Sequence, residues 1–234
     1  MKIGGFQKLS LVDYPGKLAS IVFTVGCNFR CIFCYVPKLV LPKMAKDVMK
    51  IREEYVFSYL ERNRKFLDAV VVTGGEPTVN EDLPVFLKRV KGMGFLVGLE
   101  TNGANFPMLK ELVEKNWVDY VAMDIKTVLE FERYREIVGV LDREKFESVK
   151  KSIKFLIESG VEHEFRTTLV KEFHTKDDII EICKNIQGAK VYFLQNLKRF
   201  GELVGGGKLT PFGEKEIEEI VAEGRKFVNV KYRG

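Results

Sequence analysis

The chain has 234 residues, of which 46 % are hydrophobic and 30 % charged, and its 38 Lys and Arg outnumber 33 Asp and Glu for a net charge of +5. This composition supports one medium-sized domain with a sizeable core and excludes intrinsic disorder. No apolar run approaches the roughly 18 residues that a membrane span needs, and basic residues alternate with acidic ones instead of forming a phosphate-binding stripe. We therefore expect neither a membrane nor a nucleic-acid partner.

The compartment is suggested by the first residues and by the four cysteines. Met1 to Gly5 lacks the apolar segment of a secretory signal, so we expect a reducing cytoplasm. Clustered cysteines in that setting bind metal or carry redox chemistry more often than they form disulfides.

The first predicted element is a β-hairpin. Tyr14-Pro15-Gly16-Lys17 places Pro and Gly at the two central positions of a type II turn. Strands are therefore expected at residues 6–12 and 18–24.

Short β-rich runs then alternate with longer amphipathic stretches, which predicts right-handed βαβ units and a parallel sheet. The predicted strands cover residues 19–25, 69–73, 95–99, 120–125, 163–170 and 190–197. The predicted helices cover residues 46–66, 82–91, 107–115, 143–158 and 176–185.

Six such units fit residues 19–197 at about 30 residues each. An eight-unit barrel would need about 60 more residues, whereas 37 follow. The sequence thus predicts an α/β fold with a partial six-unit (β/α) core. It also predicts a helix capped by Thr210 and Pro211 that ends near Gly224, followed by an edge strand at 227–232. No linker or internal repeat is visible, so residues 1–234 are expected to form a single domain.

The most specific signal is the run Cys27-Asn28-Phe29-Arg30-Cys31-Ile32-Phe33-Cys34, a C-x3-C-x2-C pattern after the first parallel strand. A fourth cysteine, Cys183, occupies an apolar helix position and suits a buried hydrophobic role. Three thiolates in one loop fit a cubane iron–sulfur cluster with one iron left open. Structural zinc is the alternative, with a fourth ligand from Cys183, His163, His174 or a carboxylate.

With aromatic Phe33 before the third cysteine, this loop resembles the signature of radical S-adenosylmethionine (SAM) enzymes. The resemblance implies a [4Fe-4S] cluster on Cys27, Cys31 and Cys34, with SAM chelating the open iron. Gly74-Gly75-Glu76-Pro77 resembles the superfamily's G-G-E-P motif, which meets the methionyl amino group. Glycines allow close backbone approach to a ligand, and Glu76 offers a negative partner for an ammonium.

Further polar residues end the later strands, where this architecture places function. By resemblance, Thr101, Asn102 and Asp124 would bind the ribose and nearby parts of SAM, Lys126 its carboxylate, and Arg166 would complete the cofactor site. A rim ion pair between Asp124 and Lys126 and a structural anchor at Arg166 are the alternatives. Thr168 shares the strand face of Arg166, and Gln195-Asn196 closes the sixth strand.

The chain also resembles one particular group of this superfamily, and this closer resemblance covers nearly its whole length. The opening Ser10-Leu11-Val12-Asp13-Tyr14-Pro15-Gly16 is similar to that of anaerobic ribonucleoside-triphosphate reductase activating proteins, as are Glu164 to Thr168, Phe193 to Asn196 and Val230 to Gly234. That group often has His-Asn-Pro after the third cysteine, where this chain has Tyr35-Val36-Pro37.

The resemblance implies that the reduced cluster splits SAM to methionine and a 5′-deoxyadenosyl radical, which takes a Cα hydrogen from one glycine of a partner enzyme. The implied partners are a glycyl radical enzyme, foremost an anaerobic ribonucleotide reductase, and a low-potential electron donor such as flavodoxin or ferredoxin. Two other functions remain open. One is a small-molecule radical SAM enzyme resembling 7-carboxy-7-deazaguanine synthases, and the other is a zinc-binding interaction module.

Overall fold

The computed structural model describes residues 1–198 and 201–234. Its strands are Ile3–Ser10 (β1), Ala19–Thr24 (β2), Ala69–Gly74 (β3), Leu96–Thr101 (β4), Tyr120–Asp124 (β5), Glu162–Leu169 (β6), Tyr192–Asn196 (β7) and Val230–Arg233 (β8). They follow chain order in one eight-stranded sheet. The α/β class and the parallel sheet are therefore confirmed.

The helices alternate with these strands from β2 onward. They are Pro37–Val40 (α1), Pro42–Ala45 (α2), Glu53–Arg62 (α3), Leu83–Gly92 (α4), Phe106–Glu114 (α5), Phe131–Val138 (α6), Arg143–Glu158 (α7), Lys176–Asn185 (α8) and Glu214–Gly224 (α9), with a 3₁₀ turn at Pro77–Val79. No helix within the described ranges is long and apolar enough to cross a membrane.

The chain divides into two compact units. The first unit comprises Met1–Asn28, Val36–Thr101 and Asn105–Val121, and the second comprises Phe29–Tyr35, Asn102–Ala104 and Ala122–Gly234. Whether residues 1–234 act as one domain stays a prediction.

In the first unit, β1 is antiparallel to β2, and β2, β3 and β4 are parallel to one another. The predicted hairpin turn is confirmed, because the Lys17 amide donates to the Tyr14 carbonyl at 3.2 Å and Gly16 has φ +67°. The core of this unit centres on β3, whose Ala-Val-Val-Val run is buried on both faces, as expected of a central parallel strand.

Helix α3 starts later than the predicted residue 46. Ile51 is extended and forms a bridge with Ile3, and its amide donates to the Ile3 carbonyl at 2.9 Å. This pairing holds the chain outside helical geometry until Glu53.

In the second unit, β6, β7 and β8 are parallel. Helix α9 begins at Glu214 and not at Pro211, because residues 210–212 are not helical and form hydrogen bonds elsewhere. The Thr210 amide donates to Glu172 at 3.0 Å and the Phe212 amide to the Asn196 side chain at 3.0 Å. The Gly213 amide donates to Glu216 at 2.7 Å and caps the helix instead.

Candidate functional site

Within the first unit, backbone hydrogen bonds join the start of the cysteine loop to the Gly-Gly-Glu-Pro turn. The Gly26 carbonyl, one residue before Cys27, accepts a hydrogen bond from the Glu76 amide at 2.8 Å. The Gly75 amide donates to the Thr24 carbonyl at 3.0 Å. These bonds hold the turn against the residues that lead into the cysteine loop, and Cys27 itself is partly exposed.

Close packing of the chain against itself explains both glycines of the turn. A Cβ on Gly75 would lie 2.8 Å from the carbonyl carbon of Gly26 and closer still to its oxygen. Gly74 has φ +118°, and its Cβ would lie 2.9 Å from the carbonyl carbon of Phe23. The sequence suggested that these glycines make room for a ligand, whereas the structure shows that they first make room for β2 and the loop after it.

Glu76 is held rigidly inside the first unit. Its side chain is buried, and Oε1 accepts hydrogen bonds from the Thr78 amide at 3.1 Å, the Thr78 hydroxyl at 2.6 Å and the Thr101 hydroxyl at 2.7 Å. Thr101, predicted to contact the cofactor, therefore orients Glu76. Hydrogen bonds to a carboxylate are among the stronger ones in proteins, so this carboxylate has little freedom to rotate.

The second unit holds the remainder of the cysteine loop. The Arg30 amide donates to the Val138 carbonyl at 2.7 Å, and the Ile32 amide donates to the Ile137 carbonyl at 3.0 Å, which ties the loop to the end of α6. Cys31 is buried and Cys34 is partly exposed. Sequence reasoning missed α6, although its buried Tyr134, Ile137 and Val138 follow helical spacing.

A second segment that sequence reasoning missed also contacts this loop. The Val204 amide donates to the Cys34 carbonyl at 2.9 Å, and the Gly205 amide donates to the Ile32 carbonyl at 3.0 Å. A Cβ on Gly205 would lie 3.0 Å from Ile32 Cα, so only glycine fits this approach without displacement. The Gly205-Gly206-Gly207 run was the available signal, because consecutive glycines often mark a close backbone contact.

Asp124, Lys126 and Arg166 form one charged cluster, which contains the Asp124–Lys126 ion pair that the sequence left open as an alternative. Lys126 Nζ lies 2.9 Å from Asp124 Oδ2, and Arg166 Nε lies 3.3 Å from Asp124 Oδ1. Burial acts to raise the pKa of Asp124, but Lys126 and Arg166 outweigh it and hold the pKa below its usual value. The carboxylate is thus ionised and fixed between two cations.

Lys126 links this cluster to the cysteine loop. Its ammonium lies 5.8 Å from the centroid of the Phe33 ring. Burial acts to lower the pKa of Lys126, but Asp124 and Cys31 outweigh it, so the pKa is raised. Burial raises the pKa of the Cys31 thiol to about 11, and the charge of Lys126 opposes that rise. A cation therefore stands beside the sulfur that would become a thiolate ligand.

The charged cluster extends to β8 through two residues that were not predicted to act with it. Glu164 is buried and lies 3.9 Å from Arg166, and Arg233 approaches both Glu164 oxygens at 3.1 Å. Five charges therefore alternate in sign in the order Lys126, Asp124, Arg166, Glu164 and Arg233.

Asn102 occupies a tight turn after β4. Its side-chain oxygen accepts a hydrogen bond from the Ala104 amide at 2.9 Å, and Asn102 is itself buried. The next residue, Gly103, has φ +72°, and its carbonyl accepts from the Ser152 hydroxyl at 2.7 Å. Asn102 thus has a local structural role besides the predicted cofactor contact.

The other metal-ligand types in the second unit have structural roles. His174 Nδ1 accepts from the Val170 amide at 3.1 Å, so its Nε2 carries the proton and donates to the Lys126 carbonyl at 2.8 Å. His163 is also buried, and its Nδ1 lies 2.9 Å from the Val161 carbonyl oxygen. Cys183 is fully buried in α8, where the hydrophobic role predicted for it is confirmed.

The donor set suits an iron–sulfur cluster. None of the four cysteines, all within the described residues, forms a disulfide, and three of them belong to one loop. Within residues 1–198 and 201–234, no three His, Cys, Asp or Glu side chains converge on a position for a single metal ion. A cubane does not require such convergence, because each thiolate binds a different iron atom.

Comparisons with known proteins agree with this chemistry. The family model of the Radical SAM superfamily matches residues 21–186. A Methanocaldococcus jannaschii protein named as a glycyl-radical enzyme activating enzyme is 31 % identical over 97 % of this chain and 93 % of its own length.

Solved structures with lower identity share the fold. A domain of pyruvate-formate lyase-activating enzyme from Bacteroides vulgatus has a TM-score of 0.58 at 15 % identity, covering 71 % of this chain and 99 % of that domain. Streptococcus suis SuiB bound to SAM has a TM-score of 0.67 at 15 % identity, covering 92 % of this chain and 52 % of SuiB. The chain belongs to the radical SAM superfamily, whose members use a [4Fe-4S] cluster and SAM.

Proposed function

We propose that this enzyme uses a reduced [4Fe-4S] cluster and SAM to generate a glycyl radical on a partner enzyme. The observation that carries the proposal is the similarity to the Methanocaldococcus jannaschii protein, which spans nearly all of both chains and is named for this activity. The shared fold with a domain of pyruvate-formate lyase-activating enzyme is compatible with it.

Cys27, Cys31 and Cys34 would hold three irons of the cluster and leave the fourth iron for SAM. The loop amides donate to carbonyls of α6, the Val204 amide donates to the Cys34 carbonyl, and these bonds fix the second half of this loop. The Lys126 ammonium adds positive charge beside Cys31, which favours an anionic sulfur there.

The Gly-Gly-Glu-Pro turn would contribute the groups that meet the methionyl amino end of SAM. The Glu76 side chain, held by hydrogen bonds from Thr78 and Thr101, offers a fixed acidic partner for an ammonium. Gly74 and Gly75 supply backbone carbonyls at a turn that cannot shift easily, because its glycines pack against β2 and Gly26.

Polar residues after β4 and at the end of β5 would contribute the groups for the carboxylate and the ribose. Lys126 is the carboxylate partner, while Asp124 and Asn102 are partners for the ribose hydroxyls. Arg166 orients Asp124 from a distance of 3.3 Å, so we assign it a positioning role. Phe33 covers the Lys126 ammonium on one side and limits its contact with water.

When bound, the reduced cluster supplies the electron that cleaves SAM, and the cleavage supplies the group that takes a hydrogen atom from the glycine Cα. The protein's own residues bind and orient SAM. A fixed geometry lowers the barrier to reaction, because the reactants have already lost their translational and rotational freedom on binding. No side chain has to act as a general base. The structural roles of His163 and His174 are compatible with such a mechanism.

The physiological partner that we propose is an anaerobic ribonucleotide reductase in the cytoplasm, with a low-potential flavodoxin or ferredoxin as the electron donor. Its basis is the resemblance of the segments around Asp13, Arg166 and Tyr232 to activators of that reductase.

An activation assay tests this function. Anaerobically reconstituted protein, reductant and SAM are added to the inactive reductase of the same organism, and ribonucleotide reduction is followed. We expect activation with wild-type protein and with Cys183→Ala, which removes a cysteine outside the loop, and none with Cys34→Ala. Equal activation by Cys34→Ala would contradict the assigned role of the loop. Activation of a different glycyl radical enzyme would show that the proposed partner is wrong and would leave the proposed activity standing.

A further inference from the structure

Strands β6, β7 and β8 present two contrasting faces. On one face of β6 and β7 the side chains of Phe165, Thr167, Leu169, Tyr192 and Leu194 are buried, and the Tyr192 hydroxyl donates to Thr167 at 2.7 Å. Both faces of a parallel sheet are normally covered in this way. The opposite face carries polar and charged side chains, several of them only partly buried. A polar, partly covered face of parallel strands is a place where a ligand can complete the packing.

The strand register places Thr168, Gln195 and Arg233 in one row on this polar face. Thr168 pairs with Gln195, and Gln195 pairs with Arg233. Neighbouring strands lie about 4.8 Å apart, so the row extends about 10 Å, which is the length of three residues of extended peptide. Arg166 lies on the same face two residues before Thr168, about 6.6 Å along the strand.

Two members of the row have unused hydrogen-bonding capacity. Thr168 and Gln195 are half-buried, and within the described part of the chain neither the Thr168 hydroxyl nor the Gln195 amide has a hydrogen-bond partner. Both groups remain accessible to solvent, which leaves them open to a ligand. The neighbouring Asn196, by contrast, is fully engaged, since it donates to the Phe212 carbonyl and accepts from the Phe212 amide. The two unpaired groups are therefore the ones available to a ligand.

The third member, Arg233, is fixed and electrically compensated. Its guanidinium lies 3.8 Å from the centroid of the Phe193 ring and binds both oxygens of Glu164 at 3.1 Å. The Arg233 guanidinium is therefore held in place, and its charge is balanced by Glu164. The row is thus poorly suited to capture a phosphate.

We propose that Thr168 and Gln195, in one row with Arg233, bind the backbone of the partner's polypeptide segment that carries the reacting glycine. A side-chain amide offers one acceptor and donors, and a hydroxyl offers both functions, which matches the carbonyl and N–H of successive peptide units. The link through Arg166 to Asp124 places this row next to residues assigned to SAM. This inference rests on the proposed function and specifies its substrate subsite.

A deuterium-transfer experiment tests the subsite. The probe is the capped peptide acetyl-Ala-Ala-Gly-Ala-Ala-amide with both glycine Cα hydrogens replaced by deuterium. Dithionite supplies one electron, SAM is split to methionine and a 5′-deoxyadenosyl group, and that group takes one deuterium atom, leaving the radical on the glycine Cα. Deuterated 5′-deoxyadenosine is measured by mass spectrometry as a function of peptide concentration.

The near-isosteric variants Thr168→Val and Gln195→Met each remove hydrogen bonds without removing bulk. We expect each to raise the KM for the peptide between about twofold and tenfold, the range for one lost hydrogen bond, with the Kd for SAM and the uncoupled SAM cleavage unchanged. Gln187→Met, on an exposed residue after α8, serves as the matched control and should leave the peptide KM unchanged.

Two results would overturn the inference in distinguishable ways. Deuterium transfer with an unchanged peptide KM in both variants would place the subsite elsewhere and leave the proposed function standing. Absence of deuterium transfer in wild type, with SAM cleavage accelerated by guanosine triphosphate or a reduced pterin, would reject the proposed function and the peptide subsite together.

Discussion

Replacing Gly75 with Ala should destabilise the protein and weaken cluster retention. The added Cβ would lie 2.8 Å from the Gly26 carbonyl carbon and closer to its oxygen, whereas ordinary van der Waals contacts of a Cβ begin near 3.4 Å. Gly26 or the turn must therefore move by more than half an ångström. Overpacking of this kind costs about 1–3 kcal/mol. In a protein of this size each kcal/mol shifts Tm by about 2–4 °C, so we expect a decrease between about 2 and 12 °C.

The assay compares Gly75→Ala with Gly92→Ala. Gly92 ends α4 and a Cβ there would meet nothing within 4 Å, so this control should keep or raise Tm slightly, because alanine favours helix over glycine. Thermal unfolding of the metal-free proteins gives Tm, and anaerobic reconstitution gives iron per chain. Since Gly26 precedes Cys27, Gly75→Ala should also bind less iron. Equal Tm and equal iron content in the two variants would refute the packing argument.

Three other outcomes follow from the same contacts. Alanine at any one of the three loop cysteines should abolish the iron–sulfur absorbance near 400 nm, whereas Cys183→Ala should keep about four irons per chain; loss of iron in Cys183→Ala would overturn the three-ligand assignment. Lys126→Met should raise the Kd for SAM about 10- to 150-fold, which is the range for one lost hydrogen bond to a charged group, and should leave the iron content unchanged. An unchanged Kd would show that this lysine has only a structural role. Arg233→Met should lower Tm because it leaves buried Glu164 with one cation, whereas Lys190→Met, which breaks an exposed pair with Glu162, should not; equal Tm values would show that the buried pair adds no stability.

Much of the fold could be predicted because local signals agree with the tertiary structure. The Pro15-Gly16 turn, the buried valines of β3 and the amphipathic α7 each specify their element without help from distant residues. The start of α3 could not be predicted, because it depends on the pairing of Ile51 with Ile3, nearly fifty residues away.

For the candidate site, too, local sequence patterns could be interpreted, whereas contacts between remote segments could not be predicted. The assignment of the three loop cysteines to a cluster stays a prediction from their spacing, whereas the two-residue interval correctly placed Asp124 beside Lys126. The packing role of Gly75 and the approach of Gly205 to Ile32 were not predictable, because each requires the positions of backbone atoms from remote segments. The extension from Arg166 through Glu164 to Arg233 depends in the same way on the alignment of β6 with β8.

Electron paramagnetic resonance on the partner enzyme tests the central claim most directly. Reduced, reconstituted protein, SAM and the anaerobic ribonucleotide reductase of the same organism are mixed without oxygen and frozen. The proposed function predicts the doublet of a glycyl radical on the reductase, in proportion to the SAM cleaved, and its absence when Cys34→Ala replaces the wild type. Cleavage of SAM without a glycyl radical on the reductase or on any other glycyl radical enzyme of that organism would contradict the claim.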